Sequence, residues 1–449
     1  MSTSNSSLFS VIARRRMVIA LFAVAALAVA SVPVGWHALT RFDLYQAERA
    51  LDNVDLEGAI EWLQAAGRRQ PKRADVQYRL AMAYRRHAQY GLAQDHLDRA
   101  RALGWPMREL ERQRMMILFQ MGDFAQSESY LKKLLEQGGS DDVAEDVFEA
   151  MTIGYMAEHR LKDATLCLNY WIEWRPDSLR AHLLRAYHNS AMLNVSATQA
   201  ELREVLRIAP GRLAERLALA ESLLDQSLVD EALAQCEICR RQEPENPAVL
   251  LDLGLCHYRL GRIEEAEFEL KSAVRENLDD DLLARGFTAL GQIASSARDL
   301  DAAARFYEEA VERAPQDPAN FYALGIAMRG LGKYELSAKY LERSKTLRTH
   351  AVRLGEIKKD LANDPTDIAL RVEGATILRE QGKKAQAVHW MNSVLHYNPR
   401  LRVAHEFLAD LLDEYGAREQ AQGHREAARN GTELPGADAL VGPDTPGEH

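Results

Sequence analysis

The chain has 449 residues, 47% apolar and 27% charged, a balance near the globular average that excludes both a largely disordered chain and a multi-span membrane protein. Its net charge is −10 at pH 7, which argues against a nucleic-acid surface, since such surfaces carry a basic stripe. Length alone would suggest about three domains at ~150 residues each.

A Ser-rich start leads into Arg14–Arg15–Arg16, then Met17 to Val34, eighteen residues without a charge. As a helix this stretch spans ~27 Å, close to the hydrocarbon thickness of a bilayer. We read residues 1–16 as a cytoplasmic segment and 17–36 as one transmembrane helix or uncleaved signal anchor, with Trp36 at the interface. Arginines before the span put the N-terminus in the cytoplasm and the remaining chain outside it. The competing reading is a cleaved signal, cut after Ala28–Val29–Ala30, which leaves an exported soluble protein. A twin-arginine export signal is a third.

From Thr40 onward the pattern is periodic. Pro176, Pro210 and Pro244 stand 34 residues apart, and a fixed period of this size marks a repeat architecture. In the same register a small residue recurs at Ala59, Ala93, Ser127, Ala164, Thr198, Ala232, Ala266, Ala303, Ser337, Ala387 and Ala421. The unit Pro247 to Asp280 shows two apolar stripes at helical spacing, Leu250/Leu253/His257 and Ile263/Ala266/Leu270/Ala273, on either side of Leu260–Gly261–Arg262. That predicts two helices with Gly261 at the C-cap, where a positive φ is needed. Gly254 and Ala266 are small where the two helices must approach. Units begin near Thr40, Ala74, Arg108, Glu145, Leu179, Leu213, Pro247, Ala284, Pro318, Ile368 and Arg402. Two steps stretch to 37 at Gly138–Gly139–Ser140 and Leu278–Asp279–Asp280, and one to 50. The extra residues of that step, 352–367, predict a longer second helix with Leu354, Ile357 and Leu361 on its apolar face, stopped at Pro365, and a local break in the superhelix. Beyond Asn430, Pro and Gly density predicts a disordered tail over 431–449.

Phe321, Leu324–Gly325, Gly332–Lys333–Tyr334, Ser337, Tyr340–Leu341 and Ser344 follow in an order that resembles the tetratricopeptide repeat (TPR) family, whose pattern is an aromatic, Leu-Gly, Tyr, Ala, an aromatic, Ala and Pro. The resemblance runs from about Thr40 to Asn430. It implies an all-α superhelical solenoid of about eleven helix-turn-helix repeats, nine over 40–351 and two over 368–430, in which each repeat contacts mainly its neighbours. It also implies a concave groove lined by the second, fifth, ninth, twelfth and thirteenth positions of each first helix. On this register that face holds Tyr78, Met82, Arg85, Arg86, Arg112, Met116, Phe119, Ile153 and Met156, then Leu251, Leu255, Tyr258, Arg259, Thr288, Gln292, Tyr322, Ile326 and Arg329. Met and Tyr beside Arg suit a protein or peptide partner. The Lys and Asn that clamp chaperone tails in some relatives are replaced by Tyr78/Met82 and Leu251/Leu255.

Cys236-x-x-Cys239, with Cys256–His257 following, has the spacing of a metal or redox motif. The register instead puts all three thiols at inward helix positions, where free Cys packs as a small apolar residue; a disulfide from Cys256 to one of the pair stays open. No nucleophile elbow, P-loop, His-Glu-x-x-His or dinucleotide fingerprint is present, and the 13 histidines do not cluster at ligand spacing. The expectation is a non-enzymatic, membrane-tethered scaffold without cofactor or metal, which binds a protein or peptide and organises an envelope complex. The alternative is an assembly or regulatory accessory subunit for envelope polysaccharide, lipid or secretion machinery.

Overall fold

The computed structural model describes residues 36–432 apart from Gly139. The span expected over residues 17–36 therefore lies outside the described residues except for Trp36, which opens the first helix. Among the described residues no helix is long and apolar enough to cross a membrane.

The described residues are helical throughout. Their only β feature is one isolated bridge, Leu401 to Thr432. The helices pair in sequence: α1 (36–52) with α2 (Leu56–Arg69), α3 (Ala74–Arg86) with α4 (Tyr90–Ala102), and α5 (Met107–Gln120) with α6 (Phe124–Glu136). Then come α7 (Asp141–Ala157) with α8 (Leu161–Trp174), α9 (Leu179–Ala191) with α10 (Val195–Ile208), and α11 (Leu213–Asp225) with α12 (Val229–Gln242). The remainder are α13 (Pro247–Arg259) with α14 (Ile263–Ala273), α15 (Asp280–Ser296) with α16 (Leu300–Arg313), α17 (Pro318–Gly330) with α18 (Tyr334–Asn363), α19 (Ile368–Glu380) with α20 (Lys384–Tyr397), and α21 (Arg402–Glu414) with α22 (Arg418–Arg429). These eleven pairs are repeats one to eleven below. The chain divides into two compact units at Ala150, inside α7.

Local chemistry sets each helix. Asn246 and Asp317 accept from backbone N–H groups of the first turn, and a proline follows each at the first helical position, where its missing N–H costs nothing. The intervening turn needs one residue at positive φ, and it falls fifteenth in every repeat. Gly122, Gly261, Gly332, Gly382 and Gly416 fill it in five. Val54, Ala88, His159, Leu193, Ser227 and Arg298 fill it in the other six, where an L side chain is strained. The two helices touch closely where the sequence is smallest: a Cβ on Gly254 would come within 2.7 Å of Leu270 Cγ, and one on Gly291 within 2.5 Å of Tyr307 Cε1. All the periodic small residues except Thr198, which is half-buried, are buried.

Each core is local, as a stack of repeats requires. In the first unit, side chains from α1 to α5 form one cluster around Leu63, Val76, Leu80, Ala83, Leu97 and Ile117. In the second, separate clusters follow in chain order, the last built on Ile357, Leu361, Ala375, Met391, Val394, Leu408 and Leu411. Residues 352–367 make no separate element. Residues 352–363 continue α18 into a 30-residue helix and 364–367 form the turn to α19, and Leu354, Ile357 and Leu361 supply the wall against which α19 and α20 pack. Of the tail expected over 431–449, residues 431 and 432 are described, with Arg402 N–H donating to Thr432 O and Thr432 N–H to Arg400 O; the rest of that tail lies outside the described residues.

Candidate functional site

The side chains expected to line a groove fall into two sets. In the first unit most are core. Tyr78 is buried, stacks on Trp105 at 4.9 Å, and accepts a hydrogen bond from Arg112 at 3.1 Å. Arg85 is fully buried and donates to Gln113 Oε1 at 2.8 Å and Gln120 Oε1 at 3.2 Å. Arg86 pairs with Glu149 at 3.1 Å. Met116 and Phe119 have no exposed surface, and Phe119 packs on Phe124 with ring centroids 4.5 Å apart. Met82 and Arg112 are half-buried, Met82 against the same cluster. Ile153 and Met156, on α7 beyond the division, are half-buried. Tyr78, Arg85, Met116 and Phe119 are therefore packing residues, and the groove expected there is corrected: Tyr78 and Arg85 bond to side chains of the neighbouring repeat, Phe119 packs within its own, and Met116 is fully buried.

The second unit keeps part of the face open. Leu251 is fully buried, because α15 lies against it: a Cβ on Gly286 would sit 3.3 Å from Leu251 Cδ1. Leu255, Tyr258 and Thr288 are half-buried, while Arg259, Gln292 and Arg329 are exposed. Tyr322 and Ile326 are 51% and 41% exposed. Both lie on α17, the repeat whose second helix is extended. Repeat ten packs on that extension through Leu354, Ile357 and Leu361, and Tyr322 and Ile326 stay uncovered. Arg348 of α18 holds its guanidinium 5.9 Å from the Tyr322 ring centroid, within cation–π range. Tyr322, Ile326, Arg329 and Arg348 thus form an aromatic-aliphatic patch with two cations.

Two polar features escaped the sequence reading. The first occupies the fourth position of a repeat, where the TPR pattern has an aromatic. His182, Arg216, Arg371 and His405 stand there, each near the carbonyl of the proline six residues earlier. His182 Nε2 lies 2.8 Å from Pro176 O, and Arg216 donates to Pro210 O at 2.8 Å. Arg371 Nε donates to Pro365 O at 3.0 Å, and His405 Nε2 lies 3.0 Å from Pro399 O. A turn carbonyl without an intrahelical partner is costly to bury unpaired, and these side chains satisfy it. Three of them also reach the residue nineteen further on: Glu201 at 2.7 Å, Gln235 at 2.9 Å and His424 at 2.9 Å. With both ring nitrogens of His182 facing acceptors, the imidazolium is the form that satisfies both. Its pKa is raised accordingly, by the Glu201 hydrogen bond first. Burial would raise that of Glu201, but hydrogen bonds from His182 and Arg185 outweigh it and the net shift is down. The signal was legible: polar residues replace an aromatic at one register position.

The second feature joins repeats four and ten across the second unit. Arg371, buried, donates to Glu158 O at 2.8 Å and Ser393 Oγ at 2.7 Å, lies 3.7 Å from the Glu158 carboxylate, and stacks 5.0 Å from the Tyr397 ring centroid. His159 meets Trp390 edge-on at 4.7 Å, and His389 Nε2 sits 3.2 Å from Ala157 O. Burial first, then Arg371, Lys358 and His389, hold the His159 pKa down to about 3, so its ring is neutral. The α7–α8 turn is thereby clasped on α19 and α20.

Cys236, Cys239 and Cys256 pack with Leu219, Leu223 and Leu253. All are free thiols, with Cys236 Sγ and Cys256 Sγ 4.0 Å apart. Burial pushes the Cys239 thiol up to about 11, and a thiol so held is inert. Among the described residues no group of His, Cys, Asp and Glu has the arrangement to hold a metal ion. A cavity of about 570 Å³ is lined by Phe287, Phe306, Arg305, Glu308, Glu309 and Glu312.

Comparison with known proteins agrees with the repeat geometry. Two family models, each described as tetratricopeptide repeat, match residues 224–290 and 288–350. Residues 224–350 therefore carry tetratricopeptide repeats. No curated protein matches it. Among solved structures, the Cut9–Hcn1 hetero-tetramer of the APC/C is 15% identical over 86% of this chain and 89% of that one, with a TM-score of 0.38. PilW, a type IV pilus biogenesis factor, is 17% identical over 44% and 90%, with a TM-score of 0.37. MamA protein is 16% identical over 39% and 94%, with a TM-score of 0.29. At these scores the likenesses carry no functional argument.

Proposed function

We propose that this chain is a membrane-tethered scaffold that binds a protein or peptide partner through the first-helix face of repeats seven to nine, and so organises an envelope complex. It acts by binding, not by catalysis. The observation that carries this reading is the uncovered patch of Tyr322, Ile326 and Arg329 on α17. A tyrosine and an isoleucine are left half exposed on the helix that carries Arg329, with Arg348 over the tyrosine ring, and Tyr and Arg are among the residues that dominate interface energies. The membrane side of the proposal rests on the uncharged stretch Met17–Val34 behind Arg14–Arg16. That order supports a reading in which the repeats lie outside the cytoplasm.

The test pairs capture with stability. Tyr322→Ala with Ile326→Ala should weaken partner capture by roughly 100-fold if ~2–3 kcal/mol is lost, with the melting temperature nearly unchanged. Unchanged capture with an intact fold would overturn the assignment of this face.

A further inference from the structure

The chain has a net charge of −10, yet the first helices of repeats seven to nine are poor in free carboxylates. α17 has no acidic residue at all. The one carboxylate of α13, Asp252, is buried and faces Arg285 at 3.4 Å. Those of α15, Asp280 and Asp281, are confined to its first turn, and Asp280 pairs with Arg313 at 3.1 Å. Acidic residues resume only where the second helices begin, at Glu264, Glu265, Asp301 and Glu335. Three cations stand in this acid-poor region. Arg259, Arg329 and Arg348 are exposed, and among the described residues none of the three forms an ion pair. The helix macrodipole accounts for Arg259 and Arg329, which lie in the last turns of their helices, where a cation is favoured. It does not account for Arg348, which lies in the middle of α18 with no acidic residue within four positions on that helix.

Two of these cations frame an apolar centre. Ala319, Tyr322, Ile326, Arg329 and Gly330 are all exposed and fall within about 100° of arc on α17, so they present one stripe to an incoming chain. Arg329 lies one turn beyond Ile326. At the other end the Arg348 guanidinium is 5.9 Å from the Tyr322 ring centroid, and a guanidinium stacked on a ring keeps its N–H edge free to donate. Tyr322 and Arg329 are about 10 Å apart along the helix axis, a span that an extended chain covers in about three residues. We propose that the occupant of this face is an acidic peptide segment: two carboxylates about three residues apart pair with Arg329 and Arg348, and an aliphatic or aromatic side chain between them packs on Tyr322 and Ile326. Arg259, at the matching end of α13, serves a carboxylate further along the segment. A basic segment would meet three unpaired cations and be repelled. This deepens the proposed function and rests on the α17 face being the docking site.

The experiment pans a display library of random short peptides on the full chain in detergent. The expected result is enrichment of peptides with Asp or Glu on both sides of an apolar residue. Their binding should weaken in raised salt and fall by about 10-fold or more when Arg329→Glu and Arg348→Glu are combined. That double variant should instead select peptides with Lys or Arg at the same places. Both arginines are exposed, so its melting temperature should match the parent. If it does not, Arg329→Gln with Arg348→Gln takes its place and should show the loss without the swap. Neutral or basic peptides that bind the parent and are lost in Tyr322→Ala with Ile326→Ala would overturn the acidic assignment and leave the docking face standing. Binding that none of these substitutions reduces, or no enrichment at all, would overturn both. A single-stranded oligonucleotide retained by the parent and released by the double reversal, with no acidic peptide enriched, would assign the arginines to phosphate and overturn the proposal.

Discussion

Replacing Arg371 by Met should uncouple repeat four from repeat ten. The guanidinium is buried and satisfies Pro365 O, Glu158 O and Ser393 Oγ while facing the Glu158 carboxylate and the Tyr397 ring. Met fills most of the volume, so cavity formation is a minor part of the cost. What remains is a buried carboxylate without its cation, for which the loss is about 3–5 kcal/mol. Two carbonyl oxygens also lose their donor, and leaving a buried acceptor unpaired costs about 1–3 kcal/mol; because these losses overlap, about 4 kcal/mol is the working figure. Arg216→Met is the control. Arg216 serves Pro210 O and Gln235 in the same way but makes no long-range bond of this kind, so its loss should be about 1–3 kcal/mol and local. Hydrogen exchange read by mass spectrometry, alongside urea unfolding, distinguishes the two. Arg371→Met should deprotect residues 157–160 together with α19 and α20, whereas Arg216→Met should leave 157–160 protected. A loss below about 1 kcal/mol for Arg371→Met, or unchanged protection of that turn, would refute the clasp.

Phe119→Ala should destabilise the first unit by about 3–5 kcal/mol, since the ring is fully buried against Phe124; a thermal melt indistinguishable from the parent would restore the groove reading of that position. The His182–Glu201 pair should give a pH-dependent contribution. His182 has a raised pKa against 6.5, so its share is complete in acid and fades as pH rises through the folded value; Glu201 has a lowered pKa against 4.5, so its share is complete above that and fades as pH falls. The pair is therefore strongest between about pH 4.5 and 6.5, and His182→Gln should lose most stability in that window; an equal loss at pH 5.5 and 8.5 would contradict the charged assignment. Leu193→Gly should stabilise the protein by about 1 kcal/mol, because Leu193 is exposed at a φ of 56°; a lowered melting temperature would mean the side chain has a packing role.

The repeat pattern was legible because it is local. A 34-residue period, a small residue where two helices touch and a turn residue at the C-cap are each enforced within one hairpin, so every repeat carries its own record. Ala266 and Gly254 announce the α13–α14 contact without reference to anything distant. The candidate face was legible only in part. The positions taken from the TPR pattern are free when successive first helices splay, but α15 covers Leu251, and Met116 and Phe119 are packed within the first unit. Tyr322 stays half exposed in the repeat whose second helix is extended; the sequence showed that extension and its apolar side, Leu354, Ile357 and Leu361, but not which first-helix positions would remain open. The clasp was not legible: Arg371 and Glu158 are 213 residues apart, and no period in the chain links them. A polar residue replacing an aromatic at position four was the one available hint.

The central claim is that the open first-helix face of α17 is where a partner binds. A photocrosslinking amino acid placed at Tyr322 in the full chain tests this in the cell, with the same residue at Tyr187 as reference, since both tyrosines are exposed. The account predicts one discrete adduct from Tyr322, diminished by Ile326→Ala and by Arg329→Glu, and no such adduct from Tyr187. The same adduct from both positions, or adduct formation from Tyr322 that neither substitution reduces, would contradict it.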